Sequence, residues 1–318
     1  MNKILNNKLI CFILAIISLP LPSSAQQLNF SKSQKDKDMK LNYTWSDHQE
    51  QTRELAFALP LRQVNRQNHK RFISDLAQQY VYIELHKSAR KIDPKDARVQ
   101  IQRRGKDIHI QVTSRSIDAM DRWQRSMNQS QEEALDQYLQ DNYYSHFRSH
   151  LGQAAIKPDH LRYIAENNAA VLPIAQALYD KLAVKSDSRA YINLVLSWVQ
   201  SIPYNELKNR LTSNGAGYLP PLSVVANNHG DCDSKTVLMA SLVRSILPEV
   251  KMTMVFLPNH ALLGIVLPFE TNEQTINVDG SDYLLMEPTG PAKTPLGDIA
   301  KGSASYISGN MYSLEEVP

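Results

Sequence analysis

An α+β protein is what this sequence predicts. From residue 158 onward, helical apolar periodicity comes first and short alternating strands follow. The first half carries one clear local hairpin beside helix-permissive stretches. The composition agrees: 318 residues, 42% hydrophobic and 21% charged, are enough for a sizeable core and argue against global disorder.

The chain begins with Lys3 and Lys8, an apolar run from Leu9 to Leu19, Pro20, Pro22 and the small residues Ser23-Ser24-Ala25. This is the pattern of a secretory leader cut after Ala25. The run falls short of the roughly 20 apolar residues of a spanning helix, and the prolines would break its continuation. The expected product is a periplasmic or secreted protein without stable membrane insertion. Residues 26–40 are polar and Lys-rich and read as a flexible lead-in. Leu41–Trp45 and Glu54–Leu59 alternate like strands, the second stopped by Pro60. Between Arg71 and Ile92, the apolar Ile73, Leu76, Tyr80 and Ile83 recur at three- and four-residue steps, predicting a helix that stops before Asp93-Pro94. Val99 and Ile101, then Ile108, Ile110 and Val112, alternate around Arg103–Asp107 as a hairpin. Residues from Ser116 to about His150 are polar and helix-permissive, with acids and bases interleaved as on a solvated face.

The second half is more regular. Helical signals occupy Pro158–Leu182, and Tyr191, Leu194, Val195, Trp198, Val199 and Ile202 form a stripe ended by Pro203. A Gly- and Pro-containing loop runs to Gly230, and a helix starts near Asp231 and stops at Pro248. Strands follow at Lys251–Leu257, Ala261–Leu267, Thr275–Val278 and Tyr283–Met286, with Asp279-Gly280 as a tight turn. The organisation read from this is a leader over 1–25, an α+β region of undisclosed role over 26–155, and a catalytic domain over 156–318.

Composition excludes several classes. Lys plus Arg minus Asp plus Glu is 35 − 32 = +3, with no clustered basic excess, so nucleic acid is not an expected partner. Two cysteines exclude a disulfide scaffold and multi-cysteine zinc modules. Cys11 lies in the leader, which leaves Cys232 as the single thiol of an exported chain, where exposed thiols are oxidised.

Cys232 stands at the predicted helix start after Gly230-Asp231. Unpaired N–H groups and the helix dipole favour thiolate there, and Gly230 lets the chain turn sharply without shielding the sulfur. His260 opens a strand 28 residues later, at a distance that returns it beside the helix start. Glu287 ends the last strand and offers an acceptor for the second imidazole N–H. Nucleophile, base and orienting carboxylate each fall at an element end. An oxyanion hole is expected from the Cys232 N–H plus one of Asn227, Asn228 or Asn259. A metal reading through His229, Cys232, Asp231, Asp233 and His260 is weak, because ligands in so short a loop diverge around the helix start. Calcium at Asp231, Asp233, Asp279 or Asp282 competes with a plain turn, and no cofactor is expected.

The run His229-Gly230-Asp231-Cys232-Asp233-Ser234-Lys235, the segments Asn259-His260-Ala261 and Glu287-Pro288-Thr289, and the lead-in Trp198–Tyr204 resemble the transglutaminase-like cysteine enzymes over about Ala190–Ile299. The resemblance implies a papain-like α+β core and a Cys232–His260–Glu287 triad. Two departures stand out: Leu262-Leu263 where that family often has an aromatic after its histidine, and Glu287 where aspartate is commoner. The implied activity is that of a cysteine protease or amidase on a protein or peptide substrate, working through a thioester. The alternatives are an acyl-transfer cross-linker and a non-catalytic periplasmic interaction module whose N-terminal region binds a partner.

Overall fold

A computed structural model describes residues 27–318 apart from 67–68, 106 and 210–214. The leader expectation therefore lies outside the described residues. Among those described, no helix is long and apolar enough to cross a membrane.

The fold is mixed α+β with antiparallel sheets. The chain opens on a three-stranded meander of β1 (Gln27–Lys35), β2 (Asp38–Ser46) and β3 (Thr52–Pro60), followed by a single helical turn, α1 (Leu61–Val64). β1 corrects the lead-in expectation: Phe30 pairs with Tyr43 in register and stacks against it with centroids 4.9 Å apart. An edge strand that is mostly exposed carries little alternation, so its pattern did not show. β2 behaves as expected. Leu41, Tyr43 and Trp45 all face inward, Trp45 Nε1 donating to Ser197 Oγ at 3.0 Å and Tyr43 standing edge-on to Trp198. The meander thus shares one hydrophobic core with the helices of the second half.

A second, smaller core lies between α2 (Ser74–Ala89), the hairpin β4 (Arg98–Arg104)–β5 (Asp107–Thr113) and α3 (Ile117–Asp141). The expected helix is α2, but the apolar stripe that marked it is not the face it buries. Ala77, Val81 and Leu85, spaced by four, are buried, whereas Ile73, Leu76 and Ile83 are 43%, 51% and 46% exposed. Val81 and Leu85 pack into the smaller core with Ile92, Val112 and Met127, a set drawn from other elements that the helix's own spacing does not reveal. A hairpin of β6 (Tyr144–Arg148) and β7 (Ala154–Pro158) follows, where helix signals had been read as far as His150.

The main body comprises α4 (His160–Tyr179), α5 (Ser188–Ser201), α6 (Pro221–Asn227) and α7 (Cys232–Ile246). Its sheet consists of β8 (Met252–Leu257), β9 (His260–Ile265), β10 (Thr275–Val278), β11 (Ser281–Met286) and β12 (Ser313–Val317), preceded in the chain by α8 (Lys301–Ser308), in the order β10-β11-β9-β8-β12. α7 is buried from Ser234 to Arg244 on every side, so it is a central helix and not a surface one. Asp279 and Gly280 both take positive φ, the backbone of a two-residue hairpin turn. α6, α8 and β12 had no clear sequence signal.

Candidate functional site

Three local devices fix the start of α7. Tyr204 forms a parallel bridge to Gly230, Gly230 N–H donating to Pro203 O and Asn205 N–H to Gly230 O. Asp231 caps the helix, its Oδ1 accepting from Ser234 N–H at 3.0 Å and also from the Ser234 hydroxyl. Ser234 Oγ in turn accepts Leu219 N–H at 2.8 Å. Gly230 is required for a reason other than the expected sharp turn. It does not adopt the left-handed region, but a Cβ there would press on Lys235 and Val224 at 3.2 and 3.3 Å.

His260 begins β9 directly after the β8–β9 turn, and Glu287 follows the last residue of β11, whose neighbour in the sheet is β9. His260 Nε2 lies 2.7 Å from Glu287 Oε1. The second carboxylate oxygen is also engaged: Oε2 accepts Ala300 N–H at 2.9 Å and Ser303 Oγ at 3.3 Å. Burial pushes Glu287 up, but the His260 and Ala300 hydrogen bonds outweigh it and hold the carboxyl below its ordinary value. An ionised Glu287 can only accept, so Nε2 of His260 carries a proton, and in the neutral form of the ring the lone pair is on Nδ1. α7 meets this strand one turn past Cys232, where Thr236 Oγ1 donates to Ala261 O at 3.3 Å.

The half-buried Cys232 donates its thiol proton to Asp233 Oδ1 at 3.4 Å. The expectation of a lowered thiol pKa is corrected here. Burial raises the thiol well above its ordinary value, and the carboxylates of Asp233 and Asp231 add to the effect. The helix N-terminus does attract negative charge, but two carboxylates occupy it on either side of the sulfur.

Asp233 opens a second layer. Its Oδ2 lies 3.7 Å from Nε2 of His160, which is fully buried and, through burial above all, held neutral. Lys157 Nζ approaches His160 Nδ1 at 3.4 Å and pairs with Glu315 at 2.7 Å. Burial holds the Asp233 carboxyl above its ordinary value, and the Cys232 hydrogen bond and the Lys157 charge offset this only in part.

The oxyanion candidates separate. Asn228 is committed elsewhere, its amide paired reciprocally with Gln27 at 2.8 and 2.7 Å, which pins β1 to α6. Asn227 and Asn259 are exposed. Tyr204, 50% exposed, is a donor that sequence reasoning missed. Burial first and then the charge of Cys232 hold its phenol above the ordinary value, and its backbone bridges Gly230, two residues before the sulfur. Its only sequence signal was its place after Ile202-Pro203 at the end of the stripe helix. Lys235 and Gln200, both buried, stand within the quoted motif runs, and the sequence assigned neither a role. No group of three or more His, Cys, Asp or Glu is arranged for a metal among the described residues.

Comparison of the chain with protein-family models, with curated proteins and with solved structures finds no match. The functional reading therefore rests on the geometry.

Proposed function

We propose that the protein is an exported transglutaminase-like cysteine protease or amidase with a papain-like core, acting on a protein or peptide through Cys232, His260 and Glu287. As the substrate carbonyl reaches the sulfur, His260 Nδ1 takes the thiol proton, and Sγ bonds to the carbonyl carbon. The Cys232 N–H and the Tyr204 hydroxyl receive the oxyanion. Collapse of the tetrahedral adduct breaks the C–N bond, with the proton passing from His260 to the leaving amine, and a thioester remains. Water, deprotonated by His260, then releases the acid and restores the thiol. Glu287 fixes the imidazole tautomer and stabilises the imidazolium at each step.

The observation that carries this reading is the 2.7 Å His260–Glu287 pair, its carboxylate also anchored by Ala300 N–H, on the strand that meets the Cys232 helix. A raised resting thiol is compatible with it, because the proton leaves only when the imidazole and an electrophile are both in place. Peptide cleavage compared with amine incorporation into a glutamine donor tests the reaction type. Cleavage lost in Cys232→Ala supports the hydrolase. Amine incorporation without cleavage replaces it with the cross-linker, and neither activity on a broad peptide library contradicts both.

A further inference from the structure

Lys235 stands one helical turn past Cys232 and is fully buried, burial pulls its ammonium down to about 7, and among the described residues it forms no ion pair. Its donors go to three main-chain carbonyls, Gln200 O at 3.4 Å, Ile202 O at 2.7 Å, and Thr289 O. The first two belong to the end of α5 and the third to the turn that follows Glu287. Gln200 grips the same turn from its side chain. Its Nε2 donates to Glu287 O at 2.9 Å and Thr294 O at 2.8 Å, while its Oε1 accepts from His48 Nε2 at 2.9 Å. Gly290, at φ +65°, lies so close that a Cβ would collide with the Gln200 carbonyl. The main chain at 287, 289 and 290 is therefore bracketed between α5 and the cysteine helix.

Stability alone does not select these side chains. Desolvating an ammonium with no counter-charge is costly, and a methionine of similar length would fill the space without that cost. What the lysine supplies is three directed donors, set one turn from the sulfur. We propose that Lys235 and Gln200 are positioning residues that set the separation between Cys232 and the His260–Glu287 pair, with His48 extending the bracket to the N-terminal sheet. The inference rests on the catalytic reading above.

Acylation of the full chain by p-nitrophenyl acetate tests it, read as the pre-steady-state burst rate per folded thiol across ester concentrations. Gln200→Leu and Lys235→Met are expected to slow the burst at saturation at least tenfold with the half-saturating ester concentration unchanged. Leu178→Ala, in the core of α4 and destabilising, is expected to acylate at the wild-type rate. If Lys235→Met does not fold, Gln200→Leu and Gly290→Ala decide the matter. Wild-type rates in those variants while His260→Ala is slow would overturn the positioning role and leave the triad standing. So would an equal slowing in Leu178→Ala. An unchanged rate in His260→Ala would instead remove the catalytic reading itself.

Discussion

The Cys232 thiol donates to the carboxylate of its own helix neighbour, Asp233, across 3.4 Å. This contact gives the sulfur a resting partner distinct from its proposed base and opposes ionisation, because a thiolate there would face a carboxylate oxygen.

Asp233→Asn is expected to make the thiol more acidic. Two unit charges about 4 Å apart repel by about 4 kcal/mol at an effective dielectric of 20. The Asp233 side chain is 31% exposed, so water screens much of this. The pH midpoint of iodoacetamide labelling should fall by about one unit, a roughly tenfold faster reaction at neutral pH. A midpoint unchanged or higher than wild type would show that burial alone holds the proton.

Glu287 uses each oxygen for a separate donor, His260 Nε2 on one and Ala300 N–H on the other. Glutamine offers one acceptor in place of two, so Glu287→Gln must abandon one of them, and Glu287→Asp falls short by a methylene. Turnover of a cleaved peptide should drop by about 10²-fold or more in Glu287→Gln, with a smaller change in KM. A kcat within twofold of wild type would remove the carboxylate from the mechanism.

Asp231 links the site to stability. Burial, then the charge of Asp233, raises its carboxyl above the ordinary value. A folded pKa above the unfolded one means that its contribution is complete below about pH 4 and is lost as pH rises through the folded value. Asp231→Asn keeps an oxygen for Ser234 N–H and has no charge to bury. Urea denaturation at pH 5 and pH 8 should show the variant gaining on wild type at the higher pH. Asp231→Ala should follow the same pH trend as Asp231→Asn but lie about 1 kcal/mol below it at both pH values, the loss of the cap. A wild-type advantage that grows with pH would contradict this sign.

Much of this architecture was legible in the residues. The α5 stripe, the start of α7 at Asp231 and the strands from Met252 to Met286 follow from periodicity and turn chemistry, and they set Cys232, His260 and Glu287 at element ends. What was not legible depends on contacts distant in sequence. β1 is held by pairing with β2 and by Gln27 on Asn228, neither of which leaves a local pattern. The raised thiol comes first from burial and then from the carboxylates on both sides of it, neither of which a motif displays. Lys235 looks like a solvated residue until three carbonyls from two other segments close over it.

The corrected face of α2 predicts contrasting mutations. Leu85→Ala, in the smaller core, should cost about 2–5 kcal/mol, whereas Ile83→Lys on the exposed face should stay within about 0.5 kcal/mol. Chemical denaturation checks both, and the reverse order would restore the stripe first read from the sequence.

The most direct test of the account is the formation of an acyl-enzyme on Cys232. Purified protein mixed with p-nitrophenyl acetate should release one equivalent of nitrophenolate in a burst and gain one acetyl group at residue 232 by mass spectrometry. The burst should be absent in Cys232→Ala and at least a hundredfold slower in His260→Ala. A burst that proceeds at full rate without the imidazole would mean that the sulfur acts alone and that no Cys232–His260–Glu287 unit exists.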